Sequence, residues 1–147
     1  MNLKPRHYTF IGLFLVIGLS MLVRVHLDIP TSKPTQDMYN YIDSLPEGST
    51  IIFSFDHEAS SLPEIRPIGL ALLRHAFKKG HKLIGFALLA EGTVIGYRMM
   101  QNTAKEYNRE YGSDWVYLGF KPQYIAAILS MGESFQRTFP EDYLGNQ

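Results

Sequence analysis

Residues 50–80 read TIIFSFDHEASSLPEIRPIGLALLRHAFKKG, and their pattern decides the fold. Residues 51–55 form a nearly continuous apolar run, which is typical of a strand covered on both faces. Residues 56–62 are polar and predict a loop. Pro63 suits the first turn of a helix, and Gly80 suits the position just after its end. The stretch therefore predicts a strand, a loop and an amphipathic helix.

Weaker copies of this unit follow it, and a short helix precedes it. The predicted elements are a helix over 35–45, strands over 82–89 and 115–120, and helices over 94–111 and 123–131, the last one interrupted by Gly132. The order αβαβαβα with right-handed crossovers predicts an α/β fold with a parallel sheet and helices on its faces. We expect a small three-layer domain, equivalent to half of a Rossmann-like doubly wound sheet. Such a sheet leaves an edge strand and the Ile125–Met131 face to be covered by a partner or by further chain.

Composition excludes several classes of function. Hydrophobic residues make up 46% and charged residues 19%, as in ordinary globular proteins. The chain has no cysteine, which excludes thiolate catalysis and cysteine-based zinc sites. Residues 28–147 hold 11 basic and all 14 acidic side chains, a net charge of −3 that argues against electrostatically driven binding to nucleic acid or to anionic lipid. The tyrosine-rich set around Trp115 is accordingly interpreted as packing and not as a base-stacking surface.

Residues Tyr8–Val23 carry no charge and predict a membrane anchor. Together with the apolar residues up to Leu27, they approach the ~20 residues that cross a bilayer. A cleaved signal peptide is disfavoured because no small-residue cleavage site follows, and a buried core helix because the segment has no polar face. Lys4 and Arg6 precede the span, so the positive-inside rule places the N-terminus in the cytoplasm and the domain outside. The predicted organisation is therefore a single-pass anchor over 1–27, a tether over 28–34 and an α/β domain over 35–147.

Five polar residues follow strands of the predicted sheet. Parallel strands end at one edge, where open α/β sheets bind ligands. The candidates for catalysis at this edge are Asp56, His57, Glu58, Glu91 and Lys121. Asp56 and Glu58 are also candidate ligands of a divalent cation, since carboxylate oxygens suit such ions. The alternative is that Asp56 caps its loop while His57 and Glu58 are solvated.

A basic run at the end of the predicted 63–79 helix has two interpretations. It comprises Arg74, His75, Lys78, Lys79, His81 and Lys82. These residues form either a phosphate or lipid-headgroup patch, or cations that stabilise the C-terminal end of the helix dipole, and the second is favoured. No glycine-rich phosphate loop, nucleophile elbow or H-E-x-x-H motif is present, so no cofactor is identified.

Segments 54–92, 102–135 and 139–146 resemble an uncharacterised family of bacterial and archaeal membrane-anchored α/β proteins. The matching positions are Ser54-Phe55-Asp56, Arg74-His75, Leu118-Gly119, Lys121, Met131-Gly132-Glu133 and Asp142-Tyr143. The resemblance implies an N-terminal anchor and an extracytoplasmic α/β domain. Longer members of the family carry a second half of this domain, so the resemblance also implies that this chain is a shortened member. His57-Glu58 departs from the family pattern, as does Gln123-Tyr124, where the family favours glycines. The second departure argues against a tight turn there. The resemblance transfers architecture and no activity.

Two functions from different classes follow. The first is a non-enzymatic, membrane-anchored module that binds a protein partner or a second copy of itself. The alternative is a metal- or phosphate-dependent hydrolase that uses the five candidate residues at the sheet edge. A shortened product without independent function is a third hypothesis.

Overall fold

The computed structural model describes residues 4–22 and 30–147. It divides into two units, Met1–Gln36 and Asp37–Gln147. In the first unit, helix α1 (Pro5–Leu22) has the length and apolar composition that a membrane span needs. Residues 1–3 and 23–27 of the predicted anchor lie outside the described residues, as do residues 28 and 29 of the predicted tether.

The remaining elements follow in the predicted order. They are α2 (Lys33–Ser44), β1 (Thr50–Ser54), a 3-10 turn (Ala59–Ser61), α3 (Leu62–Lys78), β2 (Lys82–Ala87), α4 (Ala90–Glu106), β3 (Trp115–Phe120), α5 (Tyr124–Glu133) and α6 (Phe135–Thr138). The predicted α/β class with its αβαβαβα order is confirmed. Helix α2 begins earlier than predicted, so Lys33 and Pro34 are helical and not extended, since proline is tolerated in a first turn.

The three strands form a parallel sheet in the order β1-β2-β3. Thr50 pairs with Lys82 at the start of the first ladder, and Leu83 pairs with Trp115 at the start of the second. Both crossovers step in the same direction across the sheet, so right-handed connections place α3 and α4 on the same face. Contacts of α3 with α4, and of both helices with β2, agree with this arrangement.

The hydrophobic core lies between the sheet and these two helices. Its central members are fully buried: Leu73 and Phe77 from α3, Leu83 from β2, Met100 from α4 and Tyr117 from β3. Neighbouring strand residues alternate between this face and the opposite one.

The opposite face of the sheet is covered in part. Phe86 of β2 contacts the rings of Phe135 and Phe139, with ring centroids 6.1 and 5.7 Å away. Helix α6 and the residue after it therefore supply a third layer near the end of β2. Ile52 of β1, in contrast, remains half exposed.

Several predicted boundaries were wrong. Helix α4 begins at Ala90 and not at Val94, and it ends at Glu106 because Asn108 adopts a left-handed conformation. Helix α5 continues through Gly132 to Glu133. The next residue, Ser134, has an extended backbone, and its hydroxyl accepts a hydrogen bond from the Arg137 amide. These ends are determined by backbone conformation and capping.

One proline and one left-handed residue affect the backbone of the helices. Pro67 lies inside α3, beyond its first turn, so the carbonyl of Pro63 lacks the intrahelical donor that residue 67 would supply. Gln123 has φ of +58° at the start of α5. A non-glycine residue therefore occupies the left-handed region here, directly before α5, at a position where the resembled family favours glycine.

The basic end of α3 is occupied by ion pairs. Arg74 donates two hydrogen bonds to Glu106 of α4, at 2.8 and 3.0 Å. Lys79 lies 3.0 Å and His75 3.4 Å from the carboxylate of Asp43 in α2. Hydrogen bonds from Lys79 and His75 hold the pKa of Asp43 below its usual range, and Arg74 does the same for Glu106. Much of this run therefore joins α3 to its neighbouring helices.

Candidate functional site

The candidate residues occupy the edge of the sheet at which the parallel strands end. Phe55 continues β1 by donating its amide to the carbonyl of Phe86, and Asp56, His57 and Glu58 follow it. Glu91 lies in the first turn of α4 and not in a loop, because that helix begins earlier than predicted. Lys121 directly follows β3.

Asp56 connects the ends of two strands. One carboxylate oxygen accepts a hydrogen bond from the Leu88 amide at 2.6 Å. The other is hydrogen-bonded to the hydroxyl of Ser54. The side chain thus caps the turn that leaves β2, whereas the alternative interpretation expected it to cap its own loop.

Glu91 holds the loop between β1 and α3. Its carboxylate accepts a hydrogen bond from the Ala59 amide at 2.8 Å. Glu58 is exposed, and its main-chain carbonyl accepts bonds from the amide and hydroxyl of Ser61. The ammonium of Lys121 lies 5.8 Å from the ring centroid of Phe139, a cation–π contact.

The five candidates do not form one hydrogen-bonded constellation. In the described part of the chain, no hydrogen bond or ion pair joins any two of them. Within residues 4–22 and 30–147, no group of three or more histidine, aspartate or glutamate side chains is placed to hold a metal ion. Asp56 and Glu58 as metal ligands, and all five as catalytic residues, stay predictions.

His57 differs from the solvated residue that the alternative interpretation expected. It is only 4% exposed, and its Nε2 atom is buried without a hydrogen-bond partner. An unpaired buried nitrogen of this kind costs free energy, which makes His57 the unusual member of the set. The local signal for its burial is the period-two alternation of a strand, since His57 follows Phe53 and Phe55 on the buried side while Asp56 and Glu58 are exposed.

Tyr117 is a second buried polar group that sequence reasoning assigned only to packing. Its ring is fully buried between those of Phe55 and Tyr143, with centroids 6.0 and 5.6 Å away, and its hydroxyl has no partner. Burial, aided by nearby Tyr143 and Asp56, raises the pKa of Tyr117. The hydroxyl is therefore neutral and buried without a hydrogen bond.

We expect Tyr117→Phe to raise the free energy of unfolding by about 1 kcal/mol, because it removes a buried hydroxyl that makes no hydrogen bond. Urea unfolding of the full chain in detergent micelles, followed by far-UV circular dichroism, measures the change. Tyr111→Phe is the matched control and should lower stability, since the Tyr111 hydroxyl donates to Asp142 at 2.9 Å. Loss of stability in Tyr117→Phe would mean that its hydroxyl binds a partner in solution.

The C-terminal segment covers the outer edge of β3, which sequence reasoning left open. The Tyr143 amide donates to the carbonyl of Tyr117 at 2.8 Å. Asp142 accepts bonds from the Leu144 and Asn146 amides and from the Tyr111 hydroxyl. Burial and this last bond raise the pKa of Tyr111, whereas the hydrogen bonds to Asp142 outweigh burial and keep its pKa low. The Asp142-Tyr143 pair therefore closes one of the two sheet edges.

The fold and this edge define a small α/β domain with a three-stranded parallel sheet, in a chain that also carries an apolar N-terminal helix. No protein-family model, curated protein or solved structure matches the chain. Its function is therefore argued from its own residues.

Proposed function

We propose that this protein is a single-pass membrane-anchored module that assembles with a second copy of itself through α5. We also propose that the protein belongs to the family that it resembles, and that its α/β domain lies outside the cytoplasm. The observation that carries the proposal is the apolar face of α5. Its large side chains, Tyr124, Ile125, Ile128 and Leu129, are each 52–69% exposed.

The spacing of these residues makes them a continuous surface. Positions 124, 125, 128 and 129 repeat at intervals of one and four residues, so they share one side of the helix. Helix α5 carries no charged residue before Glu133 at its last position. Contiguous apolar surface of this kind marks an interaction site.

A second copy is the favoured occupant. An uncharged face needs no oppositely charged partner, and it can meet its own image across a two-fold axis. The α1 helix supports the same choice, because anchoring confines the copies to one membrane and raises their effective concentration. The positive charges of Lys4 and Arg6, which precede the uncharged stretch Tyr8–Val23, favour a cytoplasmic N-terminus.

Cysteine cross-linking tests this assembly, since the natural chain contains no cysteine. We expect Leu129→Cys to form a disulfide-linked dimer in native membranes under mild oxidation. Adding Ile125→Asp should reduce the dimer about tenfold or more, because a charge would be buried at the contact. A cysteine at exposed Glu64 in α3 is the control and should remain monomeric. Equal cross-linking from both positions, or none from residue 129, would refute assembly through α5.

A metal- or phosphate-dependent hydrolase at the sheet edge is the second candidate. The observation in its favour is the buried, unpaired Nε2 of His57 beside Asp56 in sequence. The test is hydrolysis of p-nitrophenyl phosphate in the presence of Mg²⁺. Activity in the natural chain, and its loss in a folded His57→Gln variant, would favour this function. The same variant leaves α5 unchanged, so the two proposals are tested separately.

A further inference from the structure

We propose that the groove between α3 and α4 binds an anionic amphiphile: a hydrocarbon chain that ends in a carboxylate or a phosphate. The groove is separate from the α5 face, and it meets the sheet edge only at Ala59, whose amide donates to Glu91. The inference does not rest on the assembly proposed above.

The polar half of the groove is a hollow of about 420 Å³ between the two helices. Arg66 and Arg74 line it from α3, and Arg98 and Asn102 line it from α4. Three arginines face a single glutamate, Glu106. The planar guanidinium groups present the paired donors that carboxylates and phosphates bind best.

Two of these arginines are available to a ligand. Arg74 is held by Glu106 in a two-bond ion pair. Arg66 and Arg98 are exposed, and neither has an ion-pair or hydrogen-bond partner among the described residues. They stand above a floor formed by Ile95 and Met99. Cations over apolar side chains favour a ligand that carries both an anionic group and hydrocarbon.

The apolar half is an adjoining hollow of about 510 Å³ along α3. It shares Leu62, Arg66 and Leu70 with the polar half, so the two hollows lie next to each other along this row of α3. Its other walls are Ala59 and the rings of Pro63 and Pro67. A hydrocarbon chain laid against this wall would reach the arginines with its charged end.

Photolabelling of the full chain in phosphatidylcholine nanodiscs tests the proposal. The probes are dodecanoate and dodecyl phosphate that carry a diazirine, with the equivalent dodecanol as the uncharged comparison. We expect both anions to label α3 and α4 at the groove, and the alcohol to label it about tenfold less, because the arginines bind the charged end. Peptide mapping by mass spectrometry separates this labelling from probe dissolved in the bilayer.

Three variants locate the site. Arg66→Gln with Arg98→Gln should reduce labelling by both anions about tenfold, since charge-assisted bonds are lost. Ala59→Phe should reduce it similarly by filling the apolar hollow without changing charge. Lys105→Gln is the control, an equally exposed cation of α4 outside the groove, and should label as the natural chain does. Thermal unfolding by circular dichroism checks that each variant is folded.

Replacing part of the phosphatidylcholine with phosphatidylglycerol identifies the source of the ligand. Loss of dodecanoate labelling would indicate that the groove takes the headgroup of a membrane lipid, and unchanged labelling would indicate a free amphiphile. Equal labelling by the alcohol would overturn the proposal. So would labelling that is indifferent to both the double arginine variant and Ala59→Phe.

Discussion

Gly92→Ala is expected to lower the free energy of unfolding by at least about 3 kcal/mol, or to prevent folding. A Cβ atom at residue 92 would lie 1.7 Å from the carbonyl oxygen of Phe55. Neither backbone can move easily. Phe55 is bonded through its amide to the carbonyl of Phe86, and residue 92 lies in the first turn of α4. The clash therefore separates the helix from the sheet.

Gly132→Ala is the matched control. Residue 132 is also a helical glycine, but no atom lies within 4 Å of the position that its Cβ would take. We expect the free energy of unfolding to stay unchanged or to rise by about 0.5–1 kcal/mol, because alanine favours the helix. Urea unfolding of the full chain in micelles, followed by the fluorescence of the buried Trp115, measures both variants. Equal midpoints would show that α4 does not pack against Phe55 this closely.

The close approach at Gly92 also explains why the start of α4 was missed. Residues 90–93 read AEGT, which has the glycine and the capping threonine of a loop. The structure uses glycines at 92 and 96 because each faces Phe55, a residue about 40 positions earlier. A contact so distant in sequence leaves no trace in local periodicity. The strands and long helices were predictable because apolar spacing is itself a local signal.

The candidate site also combines features that the sequence predicts with contacts that it does not. Chain order alone predicts that Asp56, Glu91 and Lys121 lie at one edge, since parallel strands end together. The partners of the two carboxylates are backbone amides 32 residues away in sequence, Leu88 for Asp56 and Ala59 for Glu91. No motif encodes such pairs. The cover of β3 by Asp142 and Tyr143 was missed for the same reason, because a turn-rich terminus gives no indication of where it docks.

The topology has a consequence for stability as well. Since both crossovers place their helices on one face, one core must carry most of the burial. The other face has Phe86 beneath two aromatic rings at one end, while Ile52 is half exposed. Substitutions on the two faces of the sheet should therefore lower the free energy of unfolding by very different amounts.

Phe77→Ala tests this asymmetry and is expected to lower the free energy of unfolding by about 3–5 kcal/mol. The Phe77 side chain is fully buried between α3 and the sheet, and its removal leaves a cavity that packed helices cannot close. Its carbonyl also accepts a 2.7 Å bond from Arg109, which fixes the end of α3 in place and limits relaxation. Urea unfolding followed by far-UV circular dichroism gives the change from the midpoint and the slope.

Ile68→Ala on the same helix is the control for Phe77→Ala. Ile68 is 60% exposed, so its truncation should change the free energy of unfolding by no more than about 0.5 kcal/mol. Ile52→Ala on the opposite face of the sheet should fall between the two, because half of that side chain already contacts water. A cost at Ile52 equal to that at Phe77 would mean that the opposite face is buried in the working protein. Since the described residues leave Ile52 half exposed, the added cover would then have to come from a partner or from a second copy of the chain.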